Sequence, residues 1–183
     1  MGKYFDIISY NVKKDEKFLL DANILLYLFY TAGNYNRDMV RKYATFYFNI
    51  VSVGAKIILP INLISEFSNR IFKLGYKDYL ATKSLDTKQF SYKQFRQTVE
   101  FENTIKEIYN IFEGDILPYV DEVDYTYKGR GLSHFLSTIL DFNDIIYCDL
   151  AKEFNAAIIT HDEDFKNLDD IKVVTANSKL LHN

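Results

Sequence analysis

The chain has 183 residues, enough for one domain with a sizeable core, and 48% hydrophobic with 16% aromatic content excludes a disordered polypeptide. A net charge of -3 gives no general attraction to nucleic acid, so such binding would need a local basic patch. One cysteine, Cys148, excludes an internal disulfide, and the scattered His134, His161 and His182 offer no zinc-ligand spacing.

No apolar run approaches the roughly 18 residues of a membrane helix. The opening MGKYFDIISYNVKKDEK lacks the apolar core and small-residue cleavage site of a signal peptide, so a cytoplasmic protein without membrane contact is expected. Residues 1–17 form a polar-leaning lead-in in which Tyr4, Phe5, Ile7 and Ile8 suggest an extra edge strand. Phe18 to Leu20 is apolar without alternation, as in a strand buried on both faces of a parallel sheet. Asp21 follows at its carboxyl end. Asn23 is a preferred N-cap, and Ile24 to Tyr30 predicts a helix apolar nearly all round. Asp21 either begins a turn and accepts backbone hydrogen bonds, or stands where open α/β sheets bind ligands.

Thr31 to Asn36 reads as a loop. Met39, Val40, Tyr43, Phe46, Tyr47, Ile50 and Val51 then mark one face of a helix ending near Gly54. Ile57 to Leu59 is the second strand, closed by Pro60. A helix follows from about Asn62 with Leu63, Ile64, Phe67, Ile71 and Leu74 inward and Glu66 on the border of that face. From Arg70 to Arg96 the chain is basic, with Lys73, Lys77, Lys83, Lys88 and Lys93 interleaved with Phe72, Tyr76, Tyr79, Phe90, Tyr92 and Phe95. Two readings stand here: aromatics that stack on bases while the cations meet phosphates, or a solvated basic face over an aromatic core. Ser91 and Gln94 form a capping box that opens a long helix to Gly114, and Glu100 to Asp124 is acidic, either a solvated face or a surface that repels nucleic acid or receives a basic partner segment. Tyr127 to Gly131 is a loop, and Leu132, Phe135, Leu136, Ile139 and Leu140 give a further helical stripe.

Leu140 to Phe165 reads as helix, strand and acidic loop. Asp141 or Asn143 caps a helix that turns Ile145, Ile146, Cys148, Leu150, Ala151 and Phe154 inward, with Asp144 in its first turn, where the helix dipole also favours an acid. Cys148 is core. Ala156 to Thr160 is a third buried strand, and Asp162, Glu163 and Asp164 follow it as Asp21 follows the first. Val173 to Thr175 is a last strand before a tail. Strands alternating with helices imply a parallel sheet with all carboxyl ends on one edge, where Asp21 and Asp162 meet and Asp144 and Glu66 can reach. Two like charges about 4 Å apart repel by roughly 4 kcal/mol at an effective dielectric of 20. Clustered carboxylates therefore call for a cation, and all-oxygen ligands suit magnesium or manganese. Such ions activate water against a phosphodiester. No GxSxG, P-loop or GxGxxG offers a competing chemistry.

The segments LLDANILLYL, ISEFSNRI, DIIYCDLAKEF and IITHDEDF resemble, in order, the four acidic motifs of PIN-domain ribonucleases, especially VapC-like toxins of toxin-antitoxin systems. The resemblance spans Leu19 to about Val174. It implies an α/β, PIN-like three-layer fold: a central parallel sheet of about four to five strands flanked by helices, as one domain over residues 1–183. Residues 1–17 are then an extension and about 75–131 a helical insertion, both departures from the compact toxins. It further implies Asp21, Glu66, Asp144 and Asp162 as catalytic metal ligands for magnesium or manganese, Asp164 as an auxiliary acid, and Asn23 and Thr160 as polar supports; Asp141 competes with Asp144 for the third position. The implied activity is endonucleolytic cleavage of RNA by a homodimer inhibited by an antitoxin protein. The alternatives are a non-catalytic PIN-like module that binds RNA or protein, and an aspartate-dependent phosphatase, which the Asn23 position fits poorly.

Overall fold

The computed structural model describes residues 3–30, 33–121, 140–166, 168 and 170–182. The predicted YKGRG loop and most of the Leu132 to Leu140 stripe lie outside the described residues. The chain divides into two compact units, one of residues 1–63 with 119–183 and one of residues 64–118.

In the first unit a sheet is built from strands β1 (Lys3–Asp6), β2 (Lys17–Leu20), β3 (Lys56–Ile58), β4 (Val120–Asp121), β5 (Ala157–Ile159) and β6 (Lys172–Thr175). All pairs are parallel and the order is β1-β6-β5-β2-β3-β4. The six strands among the described residues exceed the four to five expected. The lead-in does form the edge strand, and the two-residue β4 carries too little pattern to be read from sequence. Phe18, Leu19, Ile57, Ile58, Ile158, Val173 and Val174 are wholly buried. At roughly 1.5–3 kcal/mol for each such side chain, this layer is the main source of stability, and it explains why these runs do not alternate.

The lead-in is tied down by Glu16. Its Oε1 accepts from Tyr10 Oη at 2.5 Å and Lys172 Nζ at 2.7 Å, and its Oε2 from the Lys13 N–H at 2.9 Å. Partial burial pushes the carboxyl up, but hydrogen bonds from Lys172, Tyr10 and Lys13 outweigh it and hold Glu16 below the ordinary glutamate value.

Among the described residues the helices of this unit are α1 (Ala22–Phe29), α2 (Arg37–Val53), the start of α3 (Ile61–Lys83), and, later in the chain, α6 (Phe142–Glu153) and α7 (Ser178–Leu181). Gly54 ends α2 at φ 76°, the left-handed conformation that glycine adopts without strain. The predicted tail is in part the single turn α7, which Asn177 caps and whose Leu180 is fully buried.

The second unit is helical: the rest of α3, then α4 (Tyr92–Phe95), α5 (Val99–Asn110) and a π-helical turn, Ile111–Ile116. The capping box at Ser91 and Gln94 is present, but the long helix it was expected to open stops after one turn. Thr98 breaks it by capping a new helix, its Oγ1 accepting from the Phe101 N–H at 3.2 Å while donating to the Phe95 carbonyl at 2.7 Å. The aromatic residues of the basic stretch pack on one another: Phe95 meets Tyr76, Tyr79, Tyr92 and Phe101, and Tyr79 stacks on Phe90 at 5.2 Å. These rings are therefore the core of the unit, while Lys73, Lys77, Lys83, Lys88, Lys93 and Arg96 are exposed. No described helix is long and apolar enough to cross a membrane.

Candidate active site

From β2 the sheet grows one way through β3 to β4, then the chain returns to the other flank of β2 as β5 and continues to β6. The gap between β2 and β5 is thus a topological switch point, and ligands of open α/β sheets bind beyond the carboxyl ends of the strands there. Register places Leu20 beside Ile159, so Asp21 and Thr160 leave the sheet side by side.

Asp21 is 3% exposed. It is the N-cap of α1, with Oδ1 accepting from the Asn23 N–H at 3.3 Å, so the capping role predicted for Asn23 belongs to Asp21. Its Oδ2 accepts from Thr160 Oγ1 at 2.8 Å and lies 3.5 Å from Asn23 Nδ2. The Thr160 hydroxyl oxygen in turn accepts the Asp162 N–H at 2.9 Å. One hydroxyl, donating to one acid and accepting from the backbone of the next, links Asp21 to Asp162. The cap and turn reading of Asp21 and its placement at the ligand edge thus hold together: a buried carboxyl group is tolerated because donors meet its oxygens.

Asp162 Oδ1 accepts the Asp164 N–H at 3.0 Å and starts a 3-10 turn, Glu163–Phe165. Asp144 stands in the first turn of α6, and its N–H is bound by the N-cap Asp141 at 3.0 Å. Asp141 is thereby the capping residue rather than Asn143, which accepts from Asn62 Nδ2 at 3.1 Å. Cys148 on the same helix is buried, and burial followed by the negative charge of Asp144 pushes its thiol up to about 12, as a core cysteine requires. Glu66 belongs to the helical unit, on α3, where it accepts from Arg70 Nη2 at 2.6 Å. Among the described residues no three His, Cys, Asp or Glu side chains form a group able to hold a metal ion. The donors that do converge, carboxylate and hydroxyl oxygen, suit a hard divalent cation.

Sequence reasoning missed a polar layer behind the acids. Tyr43 on α2, 1% exposed, donates from Oη to the Thr160 carbonyl at 3.0 Å, accepts the Ala176 N–H at 3.1 Å and meets His161 Nδ1 at 2.9 Å. Thr175, beside Thr160 on β6, lies 3.4 Å from the same oxygen and accepts the Asn177 N–H at 2.9 Å. Burial raises the Tyr43 phenol to about 12. Burial also lowers His161, against the opposing pull of Asp162 and Glu163. The available signal was the run of polar residues at strand ends: Asp21, Thr160 and Thr175 all follow or close a buried strand.

A parallel α/β sheet with a buried acid at its switch point, linked through a hydroxyl to a second acid, defines a class in which polar chemistry is concentrated on one edge. Within that class the chain belongs to the PIN domain family, whose model matches residues 18–171. Among solved structures, the crystal structure of VapBC2 from Rickettsia felis bound to a DNA fragment from their promoter contains a similar chain, with a TM-score of 0.52 at 13% identity over 87% of this chain and 98% of that one. No curated protein matches the sequence.

Proposed function

We propose that this chain is an endoribonuclease of the PIN family that hydrolyses RNA phosphodiester bonds at the β2 and β5 edge. The observation that carries this reading is the buried Asp21, joined to Asp162 through the Thr160 hydroxyl at the switch point of a PIN fold. Asp21 and Asp162, with Asp144, would hold magnesium or manganese, and Asp164 would assist. When bound, such an ion supplies an activated water and neutralises charge on the phosphate. The chain's own part is orientation. The Thr160 hydroxyl and the Asn23 N–H restrain Asp21, and the backbone N–H of Asp164 restrains Asp162.

The fold likeness to a chain of the VapBC2 assembly supports a toxin held in check by an antitoxin protein, and a homodimer is part of the same reading. The expected helical insertion, about residues 75–131, overlaps the helical unit of residues 64–118, whose exposed lysines are available to the phosphate backbone.

The test is cleavage of a mixed RNA pool by the purified protein with magnesium, manganese or chelator, beside Asp21→Asn and Asp162→Asn. Asparagine still caps a helix, so both variants are expected to stay folded within about 1 kcal/mol while losing at least roughly 100-fold in cleavage rate. Cleavage retained in both would remove these acids from the chemistry, and no cleavage by the wild type would leave a binding module.

A further inference from the structure

We propose that Tyr43 is a positioning residue: its buried hydroxyl fixes the Thr160 to His161 segment, and through Thr160 it sets the two carboxylates assigned above to the metal. The proposal rests on that functional reading. Strand β5 ends at Ile159, and the next ladder contact, from the Thr160 N–H to the Val174 carbonyl, is long at 3.4 Å. Beyond it the chain must carry Thr160 and Asp162 without help from the sheet. The Tyr43 oxygen replaces that help. It reaches the carbonyl of Thr160, whose side chain holds Asp21 and the Asp162 N–H, and it anchors itself on the Ala176 N–H after β6. Asn177 Nδ2 adds one further tie, to the His161 carbonyl at 2.9 Å.

Proton counting sharpens the geometry. A phenol has one proton and two acceptor positions. With that proton on the Thr160 carbonyl and one lone pair on the Ala176 N–H, the remaining lone pair has two neighbours, His161 Nδ1 at 2.9 Å and Thr175 Oγ1 at 3.4 Å, and we assign its donor to the closer one. His161 is then the Nδ1–H tautomer, leaving Nε2 as an acceptor. The ring of Tyr43 has its own packing, against Tyr27 at 5.9 Å and edge-on to His161 at 5.8 Å, so removal of the oxygen alone leaves the core filled.

Tyr43→Phe is the direct test. Manganese affinity measured by calorimetry is expected to fall roughly ten- to a hundredfold, with kcat reduced to a similar degree and KM for RNA unchanged. In metal-free protein, 15N spectra should show His161 shifting from Nδ1–H toward the Nε2–H form. Phe46→Leu, a buried change on the same helix, serves as the control: it lowers thermal stability but leaves metal affinity and the tautomer as in the wild type. Should Tyr43→Phe fail to fold, Thr160→Val against Thr160→Ser tests the next link, with affinity lost in the first and kept in the second. Wild-type protein that neither binds manganese nor cuts RNA would overturn the functional reading and this proposal together. A wild type that does both, beside a Tyr43→Phe variant equal to it, would overturn this proposal alone, as would an equal loss of metal affinity in Phe46→Leu.

Discussion

Tyrosine serves two regions of this protein in opposite ways. At the carboxyl edge of the sheet Tyr43 is buried and its hydroxyl is the organising group, with backbone and side-chain partners on every side. In the helical unit Tyr76, Tyr79 and Tyr92 are half-buried and contribute their rings to a cluster around Phe95, with the Tyr76 hydroxyl bound to the Phe90 carbonyl at its margin. The first region spends buried polar groups on orienting acids, which is tolerable only because each is hydrogen-bonded. The second is held by ring packing and keeps its charges in solvent. Directed hydrogen bonds fix the acid at the sheet edge, whereas ring packing suffices where a charged surface has only to be supported.

The contrast predicts that the helical unit breaks by loss of volume. Phe95→Ala removes the ring on which four aromatic neighbours pack, and a loss of about 3–5 kcal/mol is expected in denaturant unfolding. Phe95→Leu should recover most of it. Equal losses from both would mean that ring geometry, not volume, holds the cluster.

The sheet unit should instead break by charge. Tyr43 and Cys148 both ionise near 12 in the folded protein, above their ordinary values of 10.0 and 9.0, because burial penalises the charged forms. The folded state then binds more protons than the unfolded chain at high pH. The associated stability is fully present below about pH 9 and is lost as pH rises toward 12, by roughly 3–4 kcal/mol for each group. Unfolding midpoints in urea should be flat up to about pH 9 and fall above it. Tyr43→Phe with Cys148→Ala should remove most of that slope, and an unchanged slope would place the alkaline instability elsewhere.

The same division explains what was legible in the sequence. Strands β2, β3, β5 and β6 could be read because burial on both faces leaves unbroken apolar runs such as Phe18 to Leu20 and Ala157 to Ile159. Asp21 and Asp162 stood out as acids at the ends of those runs. Thr98 did not, because a cap within an apolar periodicity resembles any other polar residue of a helix, and the predicted long helix ran through it. Asn23 reads equally well as the cap of α1, since Asp and Asn are equally good caps and the choice depends on where β2 ends. Tyr43 carried the signature of an inward helix residue only. Nothing in its local sequence indicates that a hydroxyl 117 positions before Thr160 will meet its carbonyl. Tertiary polar contacts of that separation have no periodicity to betray them.

The smallest expected effect on stability tests the helical unit's outer face. Lys83, Lys88 and Lys93 are exposed, and Lys83 lies 5.8 Å from the ring centre of the half-buried Tyr79. Replacing all three by glutamine should shift unfolding by no more than about 0.5 kcal/mol for each site. RNA affinity should respond differently. If these cations meet phosphates, each lost contact lowers the dependence of log K on log salt by roughly 0.7 for a single strand, so the triple variant should flatten the slope by about 2 while sequence preference stays the same. The rings beneath cannot replace those contacts by stacking on bases, since Tyr79 and Phe90 already stack on each other. An unchanged salt slope would therefore assign the whole basic stretch to solvation of an aromatic core, and would leave the carboxyl edge of the sheet as the region where RNA must be held.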